Sequence, residues 1–448
     1  MTSNRISSYL RRPGLGPKLV KAALGSAGLR LTGMFFGFLV GVQLARGLGV
    51  DGYGTYGLAM SVIALMSVVT EFGLPQLLTR EVAAAQVHNE WGKVRGILSW
   101  STRAVLLTSF VTLGVVISWL WFSGRGFGSP LALTLLPGVL LVPLVAEGKI
   151  RSAALRGMQF IVRSQLPETL LRPALFSALL FVGSLMLPLA PHLAMALGVV
   201  AAAATFVCSA FMLRGALPDE ARTAQPQMNA RGWWASALPM ALTEGMRVFQ
   251  GHLAVLLLGW MTTFASVGLF RVASSVAVLM AFPLTISALV GSPVIARLHA
   301  QNDHARLQRL LSWLALGMTA STILMASPFL IAGGPLLGWV FGSEFSASNP
   351  ILLVLCLSTS LTAFFGVNAV LLNMTGHQKR VTRASWISLA IVLVLSPVLI
   401  RGFGAMGAAI ATTVSMLAWN TQMWRDGIRL LSLDASFLPL LKRHALRP

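Results

Sequence analysis

AALGSAGLRLTGMFFGFLVGVQLA, residues 22–45, runs for twenty-four positions with a single charge, Arg30. About 20 apolar residues suffice to cross roughly 30 Å of hydrocarbon. Five basic residues precede the run: Arg5, Arg11, Arg12, Lys18 and Lys21. The run is too long for a secretory leader, carries Arg30 and lacks a small-x-small cleavage site behind it, so it reads as a retained span. Working outward, comparable runs fall at 56–79, 97–122, 130–150, 168–188, 190–213, 235–259, 265–291, 310–332, 349–374, 384–400 and 405–424. The fold class predicted is an all-α polytopic membrane protein with about twelve transmembrane helices.

The basic residues assign an orientation. Counting Arg103, Lys149 and Arg172 at helix edges, 28 of the 34 Lys and Arg fall in the N-terminal tail, the C-terminal tail and every second gap. The opposite gaps hold Arg46, Arg125 and Arg401, and the spans hold Arg30, Arg247 and Arg271. Because translocating Lys and Arg is disfavoured, both termini are predicted to be cytoplasmic. Fifty-six percent hydrophobic residues, 10% charged residues and a mean hydropathy of +0.77 exclude an ordinary soluble globule. The net charge of +21 then reads as orientation signal and attraction to anionic headgroups rather than as a nucleic-acid surface. Cys208 and Cys356 stand alone inside spans, without disulfide or metal-ligand spacing.

The predicted layout is a basic tail (1–21), a six-helix lobe (22–213), a cytoplasmic linker (214–234), a second six-helix lobe (235–424) and a basic tail (425–448). The linker contains ARTAQPQMNARG at 221–232, polar and interrupted by Pro226. YGLAMSVIALM at 56–66 and VGLFRVASSVAVLM at 267–280 are faintly alike, as a repeated six-helix unit requires. External loops are short, the longest near Gly333–Asn349, which leaves no room for an extracytoplasmic catalytic domain. Pro75, Pro137, Pro143, Pro283, Pro328 and Pro397 lie inside runs and are expected to bend them. Gly33, Gly37 and Gly41 form a small-residue stripe on the first helix, either a packing face or a bending point.

No phosphate loop, His-Glu-x-x-His or Cys-x-x-Cys is present, so neither an enzyme nor a cofactor or metal site is expected. What remains is charge inside the membrane, where one group costs at least about 2.5–3.5 kcal/mol unless it meets water or a partner. Arg30 lies roughly 12 Å into its helix at 1.5 Å per residue. Arg247 falls near the middle of the seventh run, and Arg271 near the outer end of the eighth. Such groups suit a path for an anionic, phosphate-bearing cargo, since guanidinium stays charged and grips phosphate with two N–H groups. The alternative is structural: Arg30 and Arg271 snorkel to the interfaces, and Arg247 pairs with Glu244 three residues before it. The seventh run is the most polar, with Thr243, Glu244, Arg247, Gln250 and His252 within ten residues, and is predicted to line the cavity. Glu71, Glu147, Glu168 and Glu244 are the acids available for ion coupling; Glu147 is also placed to pair with Arg151.

ARGLGVDGYGTYGLAMSVIALMSVVTEFGLPQLLTREVA at 45–83 resembles the opening of polysaccharide-export flippases of the Wzx type. The matching residues are Leu48, Gly49, Tyr53, Gly54 and Tyr56, then Glu71, Phe72, Gly73 and Leu74. NAVLLNMTGHQKR at 368–380 and IRGFGAMGAAIATTVS at 400–415 resemble the same family near its C-terminal end. The resemblance implies the multidrug/oligosaccharidyl-lipid/polysaccharide exporter superfamily, with two six-helix lobes around a central cavity and alternating access. It implies a flippase carrying an undecaprenyl-pyrophosphate-linked oligosaccharide from the cytoplasmic to the periplasmic leaflet of a bacterial inner membrane, for lipopolysaccharide or exopolysaccharide synthesis. Membrane lipids, a polysaccharide polymerase and a chain-length regulator are the partners it implies. Cationic cavities are typical of such proteins, and Arg30, Arg247, Arg271, Gln250 and His252 fit as lining. Gln250 and His252 stand where many members carry an acid, which leaves Glu244 and Glu71 as the coupling or ion-pair residues. A drug/cation antiporter of the same superfamily would favour acids in its cavity. A membrane glycosyltransferase or polymerase would need a long external loop.

Overall fold

The computed structural model describes residues 15–122 and 128–440, and the expectations for the basic residues of 1–14, for Arg125 and for 441–448 lie outside them. Among the described residues all regular structure is helical. The N-terminal part comprises α1 (Leu15–Glu71), α2 (Leu74–Val87), α3 (Trp91–Phe122), α4 (Pro130–Val139), α5 (Leu141–Gly157), α6 (Ile161–Leu166), a π turn (Pro167–Leu171), α7 (Arg172–Met186), α8 (Pro191–Ala216) and the short α9 (Asp219–Thr223). Then come α10 (Ala230–Met261), α11 (Phe264–Met280), α12 (Phe282–Ala300), α13 (His304–Phe341), a 3₁₀ turn (Ser343–Ser348), α14 (Asn349–Phe365), α15 (Asn368–Met374) and α16 (Gln378–Leu431).

Nine helical stretches among the described residues are long and apolar enough to cross a membrane. Two of them, Gly25–Val87 and Gln378–Leu431, each contain two of the runs predicted from sequence. The expected turns between those runs are present as glycine kinks, each separating two helices. Gly49 (φ 67°, ψ −178°) bends α1, and Gly404 (φ 53°, ψ −129°) bends α16. Only glycine enters these left-handed conformations without a Cβ penalty. The predicted run 310–332 ends at a non-helical Ala332 (φ −137°, ψ 32°), and the loop expected at Gly333–Asn349 is instead a second helical stretch to Phe341 followed by the 3₁₀ turn. Ala230–Met261 is helical but missing from the nine stretches, because the polar residues that mark it as cavity lining dilute its hydropathy. Large exposed hydrophobics such as Phe110, Leu185, Phe211 and Leu324 face outward, as lipid contact requires. Exposed Trp121, Trp260 and Trp339 sit at the last turns of α3, α10 and α13, the placement of an interfacial aromatic belt.

The prolines divide into two groups. Pro137, Pro328 and Pro397 lie inside helices, as expected, whereas Pro75, Pro143 and Pro283 occupy first turns, where the missing N–H has no partner to lose. Of the glycine stripe on α1, Gly33 lies against the carbonyl of Thr169, while Gly37 faces open space. Close backbone contact is therefore confined to part of the stripe.

The helices form two compact units. The first holds the described residues to Leu48 together with Thr55–His252, and the second holds Gly49–Gly54 with the described residues from Leu253 onward. The core of the first is built by α2, α3 and α5, from Leu74, Leu77, Leu78, Val82, Val94, Ile97, Ile150 and Leu155. Small residues on α5 (Ala146, Ala153, Ala154) and α8 (Ala194, Ala201) are fully buried where these helices pack, as expected where dispersion rather than water drives association. In the second unit Ile295, Leu307, Leu311, Met318, Ala363 and Leu371 close around Leu433 and Ala435. The chain beyond α16 thus turns back into the core before reaching the undescribed C-terminal residues.

Candidate functional site

The Glu71-Phe72-Gly73-Leu74 motif terminates α1. Phe72 (φ 38°) and Gly73 (φ 69°) both take the left-handed conformation, and α2 restarts at Leu74. A Cβ on Gly73 would come within 2.8 Å of the Ala237 carbonyl oxygen and 2.7 Å of the Ala241 amide nitrogen on α10. Glycine is required here twice over, by its dihedral and by the approach of α10. The break presents Glu71, the last residue of α1, to a cavity of about 310 Å³ inside the first unit.

Four elements bring charge to this cavity. Glu71 comes from α1, Lys149 and Arg156 from α5, Glu168 from the π turn, and Glu244 and Arg247 from α10; Gln76, Gln165 and Thr169 add neutral polar groups. Lys149 Nζ donates to Glu71 Oε1 at 2.6 Å, and the Glu71 side chain is only 10% exposed. Taking a carboxylate out of water costs several kcal/mol, which only a close, hydrogen-bonded partner offsets. Arg247 donates through Nε to Glu244 Oε2 at 3.1 Å and through Nη2 to Glu244 Oε1, an i,i+3 fork on one face of α10. Its side chain is nonetheless 72% exposed. A guanidinium carries five donors, so this fork leaves Arg247 able to grip a second anion.

The π turn matters to the placement of Glu168. The Arg172 N–H reaches back to the Pro167 carbonyl, and Arg172 Nη1 holds Glu168 Oε2 at 3.3 Å. A Cβ on Gly148 would lie 2.6 Å from Glu168 Oε1, so α5 accommodates that carboxylate only because Gly148 has no side chain. Inserted π turns of this kind recur at functional sites.

Of the residues predicted as a site, Glu71, Glu244 and Arg247 are brought together, and Glu244 and Arg247 pair as the sequence alternative proposed. Glu147 pairs with Arg151, also as expected, and takes a further hydrogen bond from Thr102 at 3.3 Å. Arg30 is exposed on α1 and does not line this cavity. Gln250 and His252 lie further along α10, where His252 Nδ1 meets Ser61 Oγ at 3.1 Å. Arg271 belongs to the second unit, where its guanidinium lies 5.6 Å from the Tyr53 ring centre. The serial arrangement of Arg30, Arg247 and Arg271 along one path is therefore not what this cavity presents. Its lining is charge-balanced, with Glu71, Glu168 and Glu244 against Lys149, Arg156 and Arg247.

Lys149, Arg156 and Gln165 were not singled out by sequence reasoning. Lys149 sits at the edge of the fourth run, where a basic residue reads as an ordinary interfacial charge. The available signal was its position within that run two residues after Glu147, which makes it an intramembrane cation in need of a carboxylate.

A helical bundle of bent, apolar helices enclosing paired charges defines the class: a multi-pass membrane protein of transporter architecture. Residues 19–299 match the family model described as polysaccharide biosynthesis protein, and the chain belongs to that family. It is 24% identical over 418 residues to the "Probable low-salt glycan biosynthesis flippase Agl15" of Haloferax volcanii, covering 90% of this chain and 80% of that protein. The fold is shared with an inward-facing multidrug resistance transporter of the MATE family, in the MOP superfamily, at TM-score 0.71 and 12% identity over 91% of this chain and 98% of the other. It is shared also with the lipid II flippase MurJ in an inward closed conformation, at TM-score 0.66 and 13% identity over 91% and 87%.

Proposed function

We propose that this protein is a flippase that moves an undecaprenyl-pyrophosphate-linked oligosaccharide from the cytoplasmic to the periplasmic leaflet by alternating access. In this reading it is a carrier without catalysis of its own, resident in the bacterial inner membrane with both termini cytoplasmic. The six-plus-six division of its helices, and roles for Arg30, Arg271, Gln250 and His252 along the path, belong to the same proposal. Family membership and the name of the Haloferax relative support the cargo class.

The observation that carries the site assignment is Arg247: forked on Glu244, largely exposed, and facing a cavity from the most polar of the runs. In this mechanism pyrophosphate competes with Glu244 for the guanidinium fork. Arg247→Ala abolishes export in a complementation assay while the protein still inserts, and Arg247→Lys is partly active because a point charge replaces the fork. Full export by Arg247→Ala sinks the role and leaves a structural pair.

One observation favours a second reading. Glu71, Glu168 and Glu244 line the same cavity, and a cation antiporter would use acids there. Stimulation of export by lipid-linked glycan supports the flippase; transport of a lipophilic cation against a proton gradient supports the antiporter.

A further inference from the structure

A second charged cavity, of about 300 Å³, lies in the first unit where α3 begins and α8 ends. It is lined by Arg95 of α3, Arg214 in the last turn of α8 and Arg222 of α9, over an apolar floor of Val94, Leu98 and Leu217. Nothing in the proposed transport cycle uses it.

Two of the guanidiniums are held in place by backbone. Arg95 Nη1 donates to the Ala224 carbonyl at 2.8 Å, and Arg222 Nη2 donates to the Arg214 carbonyl at 2.6 Å, capping the C-terminal end of α8. Each bond uses only part of a five-donor group. Among the described residues the acid paired with the trio is Asp219, 3.1 Å from Arg222 Nη1 with a side chain 94% exposed. It does not line the cavity. Three cations therefore share a pocket whose described lining includes no carboxylate, Asp219 engaging Arg222 from outside it.

The level of the trio in the chain identifies the occupant. Arg95 stands just before the apolar run 97–122 and Arg214 just after the run 190–213. Both therefore sit at a hydrocarbon edge, where phospholipid phosphates lie. The linker residues around Ala224 are tied to the same place, since the Gln227 N–H donates to the Gly92 carbonyl at 2.9 Å.

We propose that Arg95, Arg214 and Arg222 form a binding site for the phosphate headgroup of an anionic phospholipid, which fastens the linker end of the first unit to the membrane surface. Basic pockets between helices at a membrane face recognise such headgroups by charge and by bidentate N–H geometry.

The test titrates full-length protein, in neutral detergent, with dioctanoyl-phosphatidylglycerol, dioctanoyl-phosphatidylcholine or inorganic phosphate, and reads the tightest binding step by native mass spectrometry. Arg214→Gln is the primary variant, because the carbonyl that Arg222 uses survives it. The expected result is about fivefold weaker phosphatidylglycerol binding in Arg214→Gln, a further loss in Arg95→Gln/Arg214→Gln, and near-recovery in Arg214→Lys. Phosphatidylcholine and inorganic phosphate bind weakly to every form. An unchanged affinity in Arg214→Gln with an unaltered melting temperature overturns the site. Equal binding of phosphatidylcholine reduces it to apolar contact, and equally tight inorganic phosphate reduces it to a free-anion site; either result overturns the lipid assignment. If the double variant does not fold, the Arg214→Gln and Arg214→Lys pair decides alone.

Discussion

Lys149 on α5 closes on Glu71, 78 residues earlier in the chain, with 2.6 Å between Nζ and Oε1. The two residues join the end of the broken helix α1 to the core helix α5. Their asymmetry is informative: the carboxylate is nearly enclosed, whereas the ammonium side chain is 43% exposed and reaches the cavity.

Removing the ammonium alone should therefore be worse than removing the pair. Lys149→Met leaves the Glu71 carboxylate enclosed without a partner, and a loss of about 1.5–3 kcal/mol is expected, the range for a charged hydrogen bond. Glu71→Gln/Lys149→Met should be milder than Lys149→Met, because no buried charge is orphaned. Melting temperatures of the four members of this cycle, in one detergent, provide the measurement. Strict additivity would show that the pair is not coupled.

Gly73→Ala should prevent stable folding of the first unit or lower its melting temperature severely. It combines a left-handed dihedral with backbone atoms of α10 closer than 3.0 Å. Gly37→Ala, facing open space on the same polypeptide stretch as Gly33, should be close to neutral. Comparable yields of folded Gly73→Ala and wild-type protein would refute the packing argument.

Transport should not depend on a titrating Glu244. An inside-negative potential supplies about 2.3 kcal/mol per charge per 100 mV, so outward movement of a doubly negative pyrophosphate is already favoured. Glu244→Gln should retain substantial transport in reconstituted vesicles and should free Arg247 for cargo, while collapse of the potential slows the wild type. A dead Glu244→Gln, with a pH gradient alone driving the wild type, would establish proton antiport instead.

Topology has its own check. A single Cys placed at Arg222 should react with membrane-impermeant maleimide only after the cytoplasmic face is opened, following the distribution of basic residues. Labelling in intact cells would reverse the orientation of the whole chain.

How much of this was readable beforehand follows from the range over which each feature is determined. Apolar runs, and the basic residues between them, are properties of contiguous sequence, because each span must satisfy its backbone within itself. Glu244 with Arg247, and Glu147 with Arg151, were legible for the same reason, since spacings of three and four place side chains on one helix face. Glu71, Phe72, Gly73 and Leu74 were legible as part of the family resemblance, although the run 56–79 showed neither the break at Gly73 nor the approach of α10 that makes glycine obligatory there.

What stayed hidden depends on partners far apart in sequence. Nothing near Lys149 points to Glu71, and nothing near Glu168 shows that Gly148 makes room for it. The sequence by itself determined a chain of apolar helices, their basic boundaries and the polar face of α10. Tertiary packing alone decided which charges share a cavity, since electrostatic partnership depends on distance in space and a helix fixes that distance only for its own near neighbours.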